Sequence, residues 1–118
     1  MSIGMSRLLR SGATIPVPAL TAFMTPKDLY ISLPFSGGTG SSTAATLNIA
    51  GGVAPYTFLW TKVSGQTMQH SNDDLQFITF STNTSLGSIQ IATYKCVVTD
   101  SLAATAEDTV DILAEQFP

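Results

Sequence analysis

Pro55-Tyr56-Thr57-Phe58-Leu59-Trp60-Thr61-Lys62 and Ile89-Gln90-Ile91-Ala92-Thr93-Tyr94-Lys95-Cys96-Val97-Val98-Thr99-Asp100 decide the fold of this chain. In an extended backbone, successive side chains point to opposite faces. Tyr56, Phe58 and Trp60 therefore share one face of the first segment, with Thr57, Leu59 and Thr61 opposite. Tyr94, Cys96 and Val98 share the inward face of the second. Gly51-Gly52-Val53-Ala54-Pro55 marks a turn ahead of the first segment, because glycine and proline punctuate regular structure.

The same period continues on both sides. Leu29–Pro34 reads as a first strand, closed by Pro34 and by Gly37-Gly38-Thr39-Gly40-Ser41-Ser42, which reads as a flexible loop. Thr43–Ile49 alternates, with Ala45, Leu47 and Ile49 on one face. Gln66–His70 reads as a short edge strand and Leu75–Phe80 as another, followed by a turn over Asn83–Gly87. Ala104–Leu113 closes the series, with Ala106, Val110 and Ile112 set against Thr105, Glu107, Thr109 and Asp111. About seven short strands with frequent turn signals and no helical period predict an all-β sandwich.

Residues 1–27 have a different texture. Gly4, Gly12, Pro16, Pro18 and Pro26 interrupt regular structure, and proline has no donor for a ladder. Yet Ile3, Met5, Leu8, Leu9, Ile15, Val17, Leu20, Phe23 and Met24 make the stretch too apolar for a solvated linker. The expectation is an extended N-terminal arm over 1–27 and a sandwich over 28–118. The arm would attach to a partner through Ile15, Val17, Leu20 and Phe23, with Arg7 and Arg10 pairing to acidic groups there.

Composition narrows the function classes. The chain has 118 residues, enough for one domain with a small core, and only 11% of them are charged. Residues 28–118 hold all eight acids and two bases, Lys62 and Lys95, a net of −6. Such a surface argues against nucleic acid as a partner. No apolar stretch approaches the ~20 residues of a membrane span, and Met1–Leu20 carries no uninterrupted apolar segment of the kind that targets a chain for export. Cys96 is the one cysteine, so no internal disulfide forms. A buried free thiol suits a reducing site of assembly.

Residues 43–113 resemble an immunoglobulin-like domain of the intermediate or bacterial type. Trp60 stands where such domains carry a core Trp on strand C, and Tyr94-Lys95-Cys96 matches their Tyr-x-Cys on strand F. The text Pro55-Tyr56-Thr57-Phe58-Leu59-Trp60, with Gly65 five residues after the Trp, is also similar to the polycystic-kidney-disease repeat. Thr61-Lys62-Val63-Ser64-Gly65 stands in place of that repeat's acidic turn. The resemblance implies that Trp60, Tyr94 and Cys96 form a structural core. Leu47 or Ile49 would replace the missing strand-B cysteine, and the Tyr94 hydroxyl would bond backbone in the connection around Asn83–Ser88.

Few residues offer chemistry. His70, beside Gln69 and Ser71, reads as a solvated histidine, and no serine is marked as its partner. The Gly37–Ser42 loop has no lysine after its glycines and precedes a strand, so it lacks a phosphate cradle. Asn72-Asp73-Asp74, with Asp100 or Asp108, would be the oxygen source for Ca²⁺, but adjacent loop residues rarely converge on a cation; a solvated turn is the preferred reading. Asn83-Thr84-Ser85 matches the glycosylation triplet, a common chance occurrence. No catalytic, cofactor or metal residue is assigned.

Immunoglobulin-like modules recur in bacterial surface proteins and on tailed-phage capsids and tails. The resemblance, the free thiol and the apolar arm together lead to the expectation of a non-enzymatic virion structural protein. It would be a capsid decoration or other head- or tail-bound protein of a tailed bacteriophage, assembled in bacterial cytoplasm. Its partners would be other virion proteins of the capsid or tail lattice, or its own copies, with a host-surface glycan as an additional ligand class. The alternative is a bacterial cell-surface adhesion or carbohydrate-binding module.

Overall fold

Alternation of buried and exposed side chains shapes most of the strands that build the core. The structure, a computed structural model, describes residues 17–84 and 89–116. Among these are ten strands: β1 Thr21–Thr25, β2 Asp28–Leu33, β3 Thr39–Ser41, β4 Ala45–Ala50, β5 Thr57–Gly65, β6 Gln69–His70, β7 Phe77–Ile78, β8 Phe80–Asn83, β9 Ile89–Thr99 and β10 Thr105–Gln116. The chain is an all-β sandwich.

Three sheets form, in the orders β1-β4-β7, β2-β10-β9-β5 and β3-β8-β6. All pairings are antiparallel except β2 with β10, which run parallel from Asp28↔Asp111 to Leu33↔Gln116. Leu29, Ile31 and Leu33 of β2, Trp60 of β5, Tyr94, Cys96 and Val98 of β9, and Val110 and Ile112 of β10 point inward from the four-stranded sheet. Met24, Ala45, Leu47, Ile78 and Phe80 meet them from the other two. Burying a side chain such as Leu47 contributes roughly 1.5–3 kcal/mol, so this common core holds the sheets together.

The expected boundary at residue 27 moves. Thr21–Thr25 pairs along its whole length with β4, from Thr21↔Ala50 to Thr25↔Thr46, and Met24 is in the core. The prolines flank this edge strand instead of interrupting it, so they cost it no ladder bond. Pro26 and Lys27 then carry the chain across to the four-stranded sheet. Asp108 of β10 seals that crossing by accepting the Met24 backbone N–H at 2.7 Å and pairing with Lys27.

Two other local readings change. The Gly37–Ser42 segment contains β3, where a Cβ on Gly40 would lie 2.6 Å from the Ser32 carbonyl oxygen; the glycine permits close approach of two strands. The single strand read over Leu75–Phe80 divides into β7 and β8, which join different sheets. Ile78 and Phe80 keep the same inward parity across the division.

Candidate binding face

The parity that buries Tyr94, Cys96 and Val98 sends Ile89, Ile91, Thr93 and Lys95 to the outside of the same sheet. Ile89 is 65% and Ile91 63% exposed, unusual for isoleucines in the middle of a sheet. Their neighbours extend the apolar surface. Leu113 of β10 is the cross-strand partner of Ile91 and of Tyr30 in β2, so Ile91, Leu113 and Tyr30 form one row across three strands. Leu59 and Val63 of β5 are exposed on the neighbouring edge strand.

A shallow hollow of about 530 Å³ opens on this face beside Ile91 and Leu113, reaching Gly65 on one side and Asp28 on the other. Its cause is local. The β5–β9 register slips between Lys62 and Ser64, and a bulge of this kind bends and twists its strand. Gly65, at φ +84°, follows the slip, and a Cβ there would fall 2.3 Å from the Ile91 carbonyl oxygen. The β5 edge thus ends in a residue without a side chain.

Acidic groups flank the hollow. Asp28 and Asp111 are direct partners in the parallel ladder and both are exposed. Like charges directly opposite each other across strands repel. Asp111 accepts the Thr93 hydroxyl at 2.7 Å. The described lysines are engaged elsewhere: Lys27 with Asp108, Lys95 with Glu107 at 3.8 Å and Lys62 with the Thr67 hydroxyl at 3.0 Å. The Tyr30 phenol is bonded to Glu115, and its pKa is raised by desolvation and by that carboxylate.

The residues singled out from sequence fall in several places. Trp60, Tyr94 and Cys96 are buried, and Trp60 stands directly opposite Cys96. The Trp60 indole N–H donates to the Leu75 carbonyl at 2.7 Å. Burial pushes the Cys96 thiol up to about 12, against a backbone hydrogen bond with Leu59 that lowers it; this sulfur is no nucleophile near neutral pH. The Tyr94 hydroxyl does not reach Asn83 or Thr84. It accepts the Met68 N–H at 3.1 Å and lies 3.3 Å from the Met68 carbonyl, so it fastens the β5–β6 connection. Residues 85–88 lie outside the described residues.

Of the arm residues, Arg7, Arg10 and Ile15 lie outside the described residues. Leu20 packs against the core, whereas Val17 and Phe23 are 54% and 55% exposed. His70 is exposed, as read, and its ring also meets Phe80 and Tyr94 edge-on at centroid distances of 6.2 and 6.0 Å. Its Nε2 is 3.4 Å from the Asp73 carboxylate.

Of the residues considered for Ca²⁺, Asp100, Asp108 and Asn72 do structural work. Asp100 accepts the backbone N–H groups of Val53, Leu102 and Ala104 at 3.1, 2.9 and 2.9 Å. Desolvation opposes its charge, but these donors overcome it and hold its pKa below the usual carboxylate value. Asp108 behaves likewise: desolvation is outweighed by Lys27 and by the Met24 and Thr109 N–H groups. Asn72 organises its own turn, accepting the Leu75 N–H at 3.0 Å and donating to the Phe77 carbonyl at 3.0 Å. Among the described residues no three His, Cys, Asp or Glu side chains converge to hold a metal. A second hollow, about 280 Å³, lies on the small sheet among Thr39, Thr67, Gln69, Ser81, Thr82 and Asn83; hydroxyls and amides line it, and no aromatic ring does.

The chain matches no family model and no curated protein. Among solved structures it is similar to a conjugative transposon lipoprotein from Bacteroides eggerthii, at 17% identity and a TM-score of 0.43, over 79% of this chain and 95% of that one.

Proposed function

We propose that this chain is a non-enzymatic assembly protein: an immunoglobulin-like domain bound to a tailed-phage particle as a capsid decoration or another head- or tail-bound component. The observation that carries the reading is the outer face of the four-stranded sheet, where Tyr30, Ile89 and Ile91 are exposed around an apolar hollow. Exposed apolar surface of this kind marks a contact with another macromolecule. The titratable side chains nearest to chemistry are otherwise occupied, Asp100 and Asp108 by backbone donors and Cys96 by burial. The buried free thiol agrees with assembly in a reducing cytoplasm, and the apolar residues of 1–16 provide a further attachment segment.

Fractionation of producing cells tests the proposal. Lysate is resolved on a density gradient, and the chain is followed by mass spectrometry alongside DNA-filled particles and membrane vesicles. Co-banding with particles at a fixed ratio to the major shell or tail protein is expected. Recovery in the cell-envelope fraction alone would overturn the virion reading in favour of a surface adhesion module.

A further inference from the structure

The outer face of the four-stranded sheet has a complement within the same sequence. Residues 1–16 carry Arg7 and Arg10, no acid, and the apolar residues Ile3, Met5, Leu8, Leu9 and Ile15. The face presents the opposite pattern: apolar Ile91, Leu113 and Tyr30 next to the carboxylates of Asp28 and Asp111. Asp28 and Asp111 face each other with no described cation between them, an arrangement that a guanidinium would relieve.

Spacing agrees with composition. Asp111 and Leu113 are two residues apart on β10, so the acidic row and the apolar row are about 6.8 Å apart on one face. Arg7 and Leu9 are also two residues apart, and in an extended segment lying along the strands they project to one side at the same interval. Arg7 then meets Asp28 and Asp111 while Leu9 enters the hollow between Ile91 and Leu113. We propose that the N-terminal segment of one copy docks in this way on the four-stranded sheet of a second copy.

Reach selects a second copy over the same one. Pro18 is tied to the Gly51–Gly52 turn, its carbonyl accepting the Gly52 N–H at 3.0 Å. That turn lies at the Asp100 end of the sandwich, since Val53 donates to Asp100. Ile91 is nine residues from Asp100 along β9, roughly 30 Å away, and on the opposite sheet from β1, about 10 Å further across. The nine residues from Pro18 back to Leu9 span at most about 32 Å when fully extended, no more than the straight line through the sandwich and less than the path around its edge to the outer face. The segment falls short of its own hollow, whereas a neighbouring molecule can offer the site at any distance. Exchange of both arms gives a closed pair; one-way docking gives a continuing head-to-tail chain.

The inference rests on the proposed function in treating the N-terminal segment as the attaching element, and goes further in naming a second copy as its partner. Purified full-length chain tests it without any particle, so its failure and that of the virion reading are distinguishable. Sedimentation velocity is measured for wild type, for the face variant Ile91→Asp, for the arm variant Leu9→Asp, and for an equimolar mixture of the two variants. Ile91 is exposed, and matching circular dichroism spectra check that both variants are folded. Wild type should self-associate and each variant alone should sediment as a monomer. The mixture should regain a dimer, because the intact arm of the face variant fits the intact face of the arm variant. A monomeric wild type, as docking in cis or a foreign partner would give, overturns the proposal. So does self-association that survives in either variant, or a mixture that stays monomeric.

Discussion

Replacing Trp60 probes the core beneath the four-stranded sheet. The side chain is 3% exposed, faces Cys96 across the β5–β9 ladder, and donates its indole N–H to Leu75. Trp60→Ala removes the packing and leaves a cavity, a loss of about 3–5 kcal/mol. Small domains have about 5–15 kcal/mol of total stability. At about 4–8 °C per kcal/mol, the melting point should fall by roughly 12–40 °C. Trp60→Phe retains most of the ring volume but cannot donate. The Leu75 carbonyl is only partly buried and water can replace the lost donor, so this variant should lose about 1–2 kcal/mol. The chain contains one Trp, so fluorescence is lost with the mutation and urea unfolding must be followed by far-ultraviolet circular dichroism. A loss below about 1 kcal/mol for the alanine variant would refute the packing, and no loss for the phenylalanine variant would refute the hydrogen bond.

Gly65→Ala should destabilise by about 2 kcal/mol or more, because it places a Cβ against the Ile91 carbonyl at a positive φ; a neutral effect in the same urea assay contradicts the bulge geometry. Asp100 and Asp108 have folded-state pKa values below their ordinary ones, so their contribution is complete above the unfolded pKa of about 4 and is lost as pH falls through the folded values. Acid titration of stability should therefore show a decline below about pH 4, and Asp108→Asn should flatten part of it while costing about 1 kcal/mol at neutral pH; an unchanged acid profile counts against the Lys27–Asp108–Met24 seal. Cys96, with its pKa at about 12 and no exposed surface, should react with a thiol reagent at pH 8 only at the rate of unfolding. Rapid labelling of the native protein would place the sulfur elsewhere.

Much of the sandwich is legible in the sequence because its central strands alternate cleanly. The inward parity of Tyr94, Cys96 and Val98, and of Ala45 and Leu47, follows from period two alone. Pro18 and Pro26 obscure β1 in the sequence because they look like breakers, whereas in the structure they flank an edge strand; Leu20, Ala22 and Met24 already carry the inward alternation. The division of Leu75–Phe80 is not encoded in parity, since both halves keep their apolar residues on one side. The candidate face was legible in principle: once Tyr94 points inward, Ile89 and Ile91 must point out. The sequence obscures it because Ile89-Gln90-Ile91-Ala92 is apolar at both parities except for Gln90. That glutamine is itself buried, donating its amide to the Asn83 carbonyl at 2.9 Å.

A side-chain-resolution reconstruction of the particle that co-purifies with this chain tests the central claim most directly. The account predicts density for the sandwich on the particle, with the four-stranded sheet covered and Ile91 and Leu113 in contact with another polypeptide. Particles that lack the sandwich, or that carry it with Tyr30, Ile89 and Ile91 open to solvent, would contradict it.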